Sequence, residues 1–396
     1  VLNTFAAVPS PQSPEVGAWI AANAASLAGL GGEEQAAAAI AALSPAIRDW
    51  TLFHGQIGPV SFSLNAAFWI GAAFMLVVFA IQHRGIHGTA RVQKYLGLAV
   101  IIPLAIVGIV PILLGKVDGG NFLPLVPPTG EWNLTGWTII LSGMFLAGWS
   151  TYGFETAVCY TREFINPGKD TSRAILAAGL LCLGLFIIVP FTFQGVLGLE
   201  GVTRPDIADG SGVARALAFM VGGGPVVLYA LILMIVLAVL LSIMTSMAGS
   251  SRTLYQGSVD GWLPRYLGQL NHHGVPTNAM WTDLVFNLFV LAVAVSDATS
   301  FFFLLAVSNV CYMIFNFLNL NAGWIHRIDS PDRPRPYRAP TLVLAAGTVL
   351  SYVNAIFMGA GAKIWHPFAL WAGLGTALLI VPIFWYRHYV QDGGRF

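Results

Sequence analysis

Long apolar stretches separated by short polar segments dominate the chain beyond residue 60. A helix that crosses a bilayer needs about 20 consecutive, mostly apolar residues. Nine stretches meet this requirement and are predicted to be membrane spans: 62–82, 95–115, 136–160, 174–198, 225–249, 279–296, 301–324, 341–362 and 368–388. The pattern therefore predicts an all-α membrane protein with an N-terminal segment, 1–60, and a transmembrane domain of nine spans, 61–396.

The composition supports a membrane environment. The 396 residues are 56% hydrophobic and only 9% charged, whereas ordinary soluble domains are about 25% charged. A soluble protein of this length would need far more charge on its surface. The net charge of +1 gives no reason to expect a nucleic-acid partner, so the lipid bilayer is the expected partner.

Basic residues cluster on one side of the predicted membrane. All but five of the 19 lie in or at the edge of the segments 83–94, 161–173, 250–277, 325–340 and 389–396. The positive-inside rule makes this side cytoplasmic. The rule places the C-terminus inside the cell and residues 1–60 outside, as an extracytoplasmic loop region with one or two short helices.

Two acidic residues fall inside predicted spans. A charge at the centre of a span costs about 2.5–3.5 kcal/mol on insertion scales, so such a group must face the protein interior or a water-filled cavity. Glu155 is interpreted as a proton-binding or gating carboxylate, with a structural hydrogen bond as the alternative. Asp283 lies close to the cytoplasmic end of its span, where contact with solvent or a local hydrogen bond is expected.

The sequence GWSTYG at 148–153 interrupts the third predicted span. Glycine weakens helices, and Ser and Thr side chains compete for backbone hydrogen bonds. A break would leave backbone carbonyls and N–H groups facing a common point in the membrane, which is tolerated where they line a cavity. The alternative is a kinked helix packed through small residues.

Two other spans carry polar stripes, each on one helical face. The first stripe consists of Ser242, Thr245, Ser246 and Gly249, and the second of Asn309, Tyr312, Asn316 and Asn319. Small and amide side chains also join transmembrane helices to one another. Polar groups on three spans nevertheless favour a shared hydrated cavity.

Residues 153–175, GFETAVCYTREFINPGKDTSRAI, resemble the amino acid–polyamine–organocation (APC) transporters. That family has a Gly-aromatic-Glu step, a second Glu, then Asn-Pro and a basic residue. These are here Gly153-Phe154-Glu155, Glu163, Asn166-Pro167 and Lys169. The segment SRTLYQGSVDGWLPRYLGQLNHHGVP at 251–276 is similar to the family's loop after its eighth helix. GTARVQK at 88–94 and RPYRAP at 335–340 are similar to the loops before helices five and eleven.

The resemblance implies the APC/LeuT-like inverted-repeat fold of twelve helices, of which the nine predicted spans would be helices four to twelve. The first three helices are not found in the sequence, apart from the end of helix three at 1–8, so the fold is expected to be incomplete. In the family the substrate site lies between broken helices one and six, and this chain holds only the second of them.

The resemblance also implies a function and a site. The expected activity is secondary active transport of an amino acid or related amine across the cytoplasmic membrane, by alternating access around a broken helix six. The implied substrate-binding residues are Trp149, Ser150, Thr151, Tyr152, Gly153, Ser242, Thr245, Ser246, Asn309 and Tyr312. Trp149 would also be an aromatic gate, and Glu155 would couple protonation to the break.

Other functions remain open at this stage. A channel or sensor is one alternative. A membrane-embedded enzyme is another, but it would need a nucleophile–base or metal constellation, and the acidic residues and histidines show no such spacing. The chain is therefore not expected to be an enzyme, to hold a metal or to need a cofactor beyond a coupling proton or sodium ion. Plain exchange and assembly into a homo-oligomer are also left open.

Overall fold

A computed structural model of the chain describes residues 14–24, 27, 31–43, 50–58, 60–127, 129–150, 152–153, 156–208, 210 and 212–394. The expected end of helix three at 1–8 lies outside these residues, as do Thr151 and Glu155.

The described residues are mostly helical. In chain order the α-helices are α1 (Pro14–Ala22), α2 (Gly32–Leu43), α3 (Ala66–His83), α4 (Ile86–Leu113), α5 (Leu134–Ser150), α6 (Thr156–Cys159), α7 (Pro167–Val202), α8 (Pro205–Ala208), α9 (Val213–Met220), α10 (Pro225–Val259), α11 (Thr277–Ala294), α12 (Ala298–Asp329), α13 (Thr341–Trp365), α14 (Ala369–Leu378) and α15 (Ile380–Trp385). Short 3₁₀ turns lie at Gly119–Phe122, Thr161–Glu163 and Arg265–Gly268, and a π-helical turn at Tyr386–Gln391 follows α15.

Eight helical segments of the described chain are long and apolar enough to cross a membrane. They are α3, Thr89–Leu113 of α4, α7, α10, α11, Thr299–Asp329 of α12, α13 and the run Ala369–Gln391. Helix α5 is a ninth, shorter apolar helix. These helices correspond to the nine predicted spans and confirm the prediction of an all-α, multi-pass membrane protein.

The first predicted span begins too early. Residues 62–65 belong to a two-stranded antiparallel hairpin of β1 (Thr51–Ile57) and β2 (Val60–Asn65). Phe62 and Leu64 alternate with serines and pack against residues of α3 and α11, which is the period-two pattern of a half-buried strand. Asn65 ends the strand by capping α3 through Phe68 N–H (3.0 Å) and donating to the Val295 carbonyl.

The three largest of the four buried clusters among the described residues hold most of the spans together. The first joins α3, α10 and α11, the second joins α4, α9 and α10, and the third joins α5, α12, α13 and α14. Their fully buried members include Val78, Met244 and Leu284 in the first, Val107 and Met220 in the second, and Phe145, Val310 and Ala362 in the third. Helix α10 therefore belongs to two clusters and occupies the centre of this arrangement.

Helices α4 and α7 approach each other closely at a glycine. A Cβ atom at Gly108 would lie 2.8 Å from Ile188 Cγ2, so a larger residue would separate the two helices. The buried Thr192 hydroxyl donates to the Gly108 carbonyl (2.7 Å). Small residues and hydroxyl bonds of this kind are common where helices meet in membranes.

Asp297 caps α12, and its removal is expected to destabilise the protein. Its carboxylate accepts hydrogen bonds from Ser300 N–H (2.7 Å) and Ser300 Oγ (2.9 Å). Asp297→Ala should lower the free energy of unfolding by about 1 kcal/mol. Asp297→Asn, which retains a capping oxygen, is the matched control.

The Asp297 cap should also respond to pH. The hydrogen bond from the Ser300 backbone, ahead of those from side chains, lowers the pKa of Asp297. Its charge-dependent contribution is therefore complete above the ordinary aspartate pKa and is lost as pH falls through the lowered value. Thermal unfolding in detergent should show the difference between wild type and Asp297→Ala shrinking in strongly acidic buffer. A difference that grows with acid would contradict the assignment.

Candidate functional site

Helix α5 ends at Ser150, the described residues Tyr152 and Gly153 are not helical, and α6 begins at Thr156. The Ser150 hydroxyl donates back to the Ala147 carbonyl (2.6 Å), which competes with the backbone ladder as expected for serine. Gly153 has a φ of 108°, a conformation that side-chain-bearing residues rarely adopt. The sequence at this point therefore favours a break over a continuous helix. The non-helical residues Tyr152 and Gly153 are called the extended segment below.

The segment is held against α12 by an aromatic pair. The rings of Tyr152 and Tyr312 are stacked with centroids 3.7 Å apart and an angle of 16° between their planes. The Tyr312 hydroxyl also accepts a hydrogen bond from Gly153 N–H at 3.3 Å. A backbone donor that no helix satisfies thus has a side-chain partner.

Helix α6 packs directly on α10 because position 249 is glycine. A Cβ atom at Gly249 would lie 3.2 Å from Thr156 Cγ2 and 3.8 Å from Cys159 Sγ. Four residues further along α10, the Thr253 hydroxyl lies 3.4 Å from Cys159 Sγ. The two helices therefore pack closely, because no side chain at position 249 separates them.

The end of this segment is fixed to α10 by a charged pair. Arg252 Nε donates to Glu163 Oε1 (2.7 Å), and Arg252 Nη1 donates to the Ala248 carbonyl (3.1 Å). The guanidinium also lies 4.8 Å from the ring centroid of Tyr160. Arg252 is only 9% exposed, and a buried charge needs such partners because desolvation is expensive.

The predicted residues of α5 and its continuation lie together, except where the structure does not describe them. Trp149 is 47% exposed, and Ser150 is also exposed. Tyr152 and Gly153 form the extended segment. Thr151 and Glu155 lie outside the described residues, so their predicted roles stay predictions.

The stripe on α10 divides between two surroundings. Gly249 meets α6, whereas Ser242 and Ser246 line a cavity of about 290 Å³ between α3, α10 and α11, together with Met75 and Asn287. The Thr245 hydroxyl donates to the Leu241 carbonyl. The serines therefore face a mostly apolar cavity beside α11, in which Asn287 is the other polar residue.

The stripe on α12 also divides. Tyr312 contacts the extended segment, but Asn309 is fully buried and donates its amide to the Phe145 carbonyl. Nearby, Trp365 Nε1 donates to the Ser142 carbonyl (3.0 Å). Asn309 therefore joins α12 to α5, which is the helix-joining role that amide residues have in membranes.

Of the two alternatives expected for Asp283, contact with solvent is wrong, and a local hydrogen bond agrees with the Ser250 and Asn287 side chains beside its carboxyl group. Asp283 is 7% exposed, because α3 and α10 pack against α11. Sequence position near the end of a span did not reveal this cover. The available signal in the sequence for a buried polar site was that Asp283 and Asn287 lie one helical turn apart.

The family model described as amino acid permease matches residues 17–381. The chain belongs to the amino acid permease family. This finding confirms the resemblance seen in residues 153–175 and 251–276.

Individual relatives are more distant. The chain is 26% identical over 321 residues to the branched-chain amino acid permease BcaP of Lactococcus lactis, covering 78% of this chain and 64% of that protein. It is 23% identical over 365 residues to the lysine-specific permease LysP of Escherichia coli, covering 83% of this chain and 71% of that protein. It is 28% identical over 229 residues to the S-adenosylmethionine permease GAP4 of Candida albicans, covering 55% and 36%. The chain thus spans less than two thirds of the length of the first relative. All three relatives are permeases, not enzymes.

Two features of the site were not predicted from the sequence. Arg252 and Glu163 both appear in the motifs quoted above, yet nothing in one sequence shows that they pair across 89 positions. The Gly249 contact was likewise hidden, because a glycine in a polar stripe does not identify its neighbour. Both features come from how α6 and the 3₁₀ turn fold back on α10.

The contact between α6 and α10 can be tested by crosslinking. With Cys159 Sγ 3.4 Å from Thr253 Oγ1, a Thr253→Cys variant should form a disulfide with Cys159 under mild oxidation, because the ends of the two side chains lie next to each other. Mass spectrometry of the digested protein measures the linked peptide. A Cys159→Ser background, which removes one partner, should show none.

Gly249→Leu should slow this crosslink, since the added side chain would push α6 away from α10. Gly179→Leu on α7 is the matched control, because a Cβ atom there meets nothing within 4 Å. Equal crosslinking in Gly249→Leu and the control would show that Gly249 does not set the spacing.

Proposed function

We propose that this chain belongs to a secondary transporter that moves an amino acid or a related amine by alternating access around the break that follows Ser150. The observation that supports the proposal is the end of α5 at Ser150 within an apolar stretch, next to the half-exposed Trp149. Non-helical backbone at membrane depth is tolerated where it is buried or lines a cavity. Transporters use such breaks to bind solutes.

The chemistry of the segment suits an ammonium group. The C-terminal end of a helix carries a partial negative charge on its last carbonyls. Backbone carbonyls of Ser150, Thr151, Tyr152 and Gly153 at the end of α5 would accept hydrogen bonds from the substrate's amine, and Trp149 would cover it. The three relatives act, by their names, on branched-chain amino acids, lysine and S-adenosylmethionine, and each of these molecules carries an α-ammonium group.

The proposal includes an orientation and a coupling group. Loops rich in Arg and Lys place the C-terminus in the cytoplasm, with the protein in the cytoplasmic membrane. Glu155 would couple movement of the segment to protonation. Tyr152 on Tyr312, Gly249 on α6 and Arg252 on Glu163 would then be the contacts that the segment keeps or exchanges between its two states.

A channel is the alternative that most needs to be separated from a carrier. A carrier shows saturable uptake and counterflow, in which unlabelled substrate inside drives entry of labelled substrate. A channel shows neither. Proteoliposomes holding the full-length protein, tested with leucine, lysine and a polyamine, would distinguish the two classes.

Trp149→Ala and Glu155→Gln should each abolish uptake by the full-length protein without loss of membrane insertion. The first removes the proposed aromatic cover and the second removes the ionisable group. Uptake of radiolabelled substrate in proteoliposomes, with protein content measured in the same vesicles, gives the comparison. Wild-type rates in both variants would remove the site assignment.

Tyr312→Phe should weaken transport less than Tyr312→Ala. The phenylalanine keeps the stack on Tyr152 and loses only the hydrogen bond from Gly153 N–H, which is worth about 1 kcal/mol, or roughly a fivefold effect. The alanine loses both contacts. Initial uptake rates at saturating substrate measure the order, and equal rates for the two variants would mean that the stack does not hold the segment.

A further inference from the structure

Asp283 is a buried carboxylate that the proposed substrate site does not use. It lies on α11 and is 7% exposed, and its Oδ2 atom has no hydrogen-bond partner. The side chains of Ser250 on α10 and Asn287 on α11 lie beside the carboxyl group. An unpaired buried charge is too costly to persist without a neutralising partner.

No cation of the described protein supplies that partner. Four ion pairs occur among the described residues, and Asp283 is in none of them. The basic groups nearest in the fold are already engaged: Arg252 binds Glu163 and, by helical periodicity, projects from the side of α10 opposite to Ser250. Arg265, in the 3₁₀ turn packed against α11, binds Asp392.

Several other titratable groups on the elements around α11 have partners of their own. On α3, His83 Nε2 is 2.9 Å from Thr277 Oγ1, and in the 3₁₀ turn, Tyr266 Oη is 3.4 Å from Thr282 Oγ1. Strand β2 has no titratable side chain. On α12, Cys311 Sγ contacts the Gly373 carbonyl, and the Tyr312 hydroxyl accepts from Gly153 N–H.

A route to the carboxyl group is present. Ser246 and Asn287 line the cavity of about 290 Å³, and each lies one helical turn from Ser250 and Asp283 respectively. Ser246 and Asn287 therefore lie at the cavity, and Ser250 and Asp283 lie one turn further along α10 and α11. A space of this size holds several water molecules, each occupying about 30 Å³.

We propose that Asp283, with Ser250 and Asn287, binds a monovalent cation that enters from the cavity between α3, α10 and α11. The cation is a proton or Na⁺ in its place, since either neutralises the single carboxylate. Oxygen and amide groups suit a hard cation. The described residues contain no group of three or more His, Cys, Asp or Glu side chains that could hold a metal, which disfavours a multivalent ion. The part of this inference that couples the cation to solute movement rests on the proposed function.

Cation binding is tested without any substrate. Infrared spectra of the full-length protein in lipid should show the carbonyl band of a protonated carboxylic acid that disappears as the buffer is made alkaline. The band should be absent in Asp283→Asn and shifted in Asp283→Glu, and unchanged in the control Asp297→Asn. If Na⁺ is the ligand, adding Na⁺ but not K⁺ at constant pH should remove the band. A spectrum that is the same for wild type and Asp283→Asn in every buffer would overturn the proposal.

Coupling is tested in proteoliposomes with the same variants. A tenfold cation gradient can support about tenfold accumulation, because each factor of ten is about 1.4 kcal/mol. Asp283→Asn should lose this accumulation and keep counterflow exchange, while Asp297→Asn keeps both. Gradient-driven accumulation at the wild-type level in Asp283→Asn would overturn the coupling role. Absence of counterflow in the wild type would instead count against the proposed transport function and leave the infrared result standing.

Discussion

Backbone polar groups inside a membrane must find partners within the protein, and this constraint explains how the chain is arranged between Ser150 and Pro167. A helix satisfies its own N–H and C=O groups, so ending α5 within an apolar stretch leaves groups that need other donors and acceptors. The structure supplies one partner from a neighbouring helix, since Tyr312 on α12 accepts from Gly153 N–H. Helix α10 holds the continuation of the chain by packing on α6 and by the ion pair between Arg252 and Glu163.

The spans were predictable because their signal is local. Each needs only its own apolar residues, although some helices continue past the apolar range into polar residues, as α10 does to Val259. The exception at residues 62–65 has a local cause as well: an apolar run next to a span was assigned to it, although its alternation with Ser61 and Ser63 is that of a strand. Period and total hydrophobicity conflict in such short runs, and hydrophobicity alone gives the wrong boundary.

The candidate site was predictable only in part, for a different reason. The end of α5 follows from glycines and hydroxyl residues that act on their own backbone. Which side chain meets which depends on how the helices turn about their axes. Asn309 and Tyr312 share one face of α12, yet one is buried against Phe145 and the other reaches Tyr152. Likewise the depth of Asp283 in the sequence says nothing of the helices that cover it.

The ion pair between Arg252 and Glu163 has a mechanical consequence. The guanidinium is buried and also bonded to the Ala248 carbonyl, so pulling Glu163 away would strand a charge in a poorly solvated place. The ion pair therefore fixes the 3₁₀ turn at Glu163 to α10. Tyr152 and Gly153, by contrast, contact α12 through stacked rings and a hydrogen bond between uncharged groups, which rearrange at modest cost. A displacement is therefore expected to be larger near Trp149 than at Glu163.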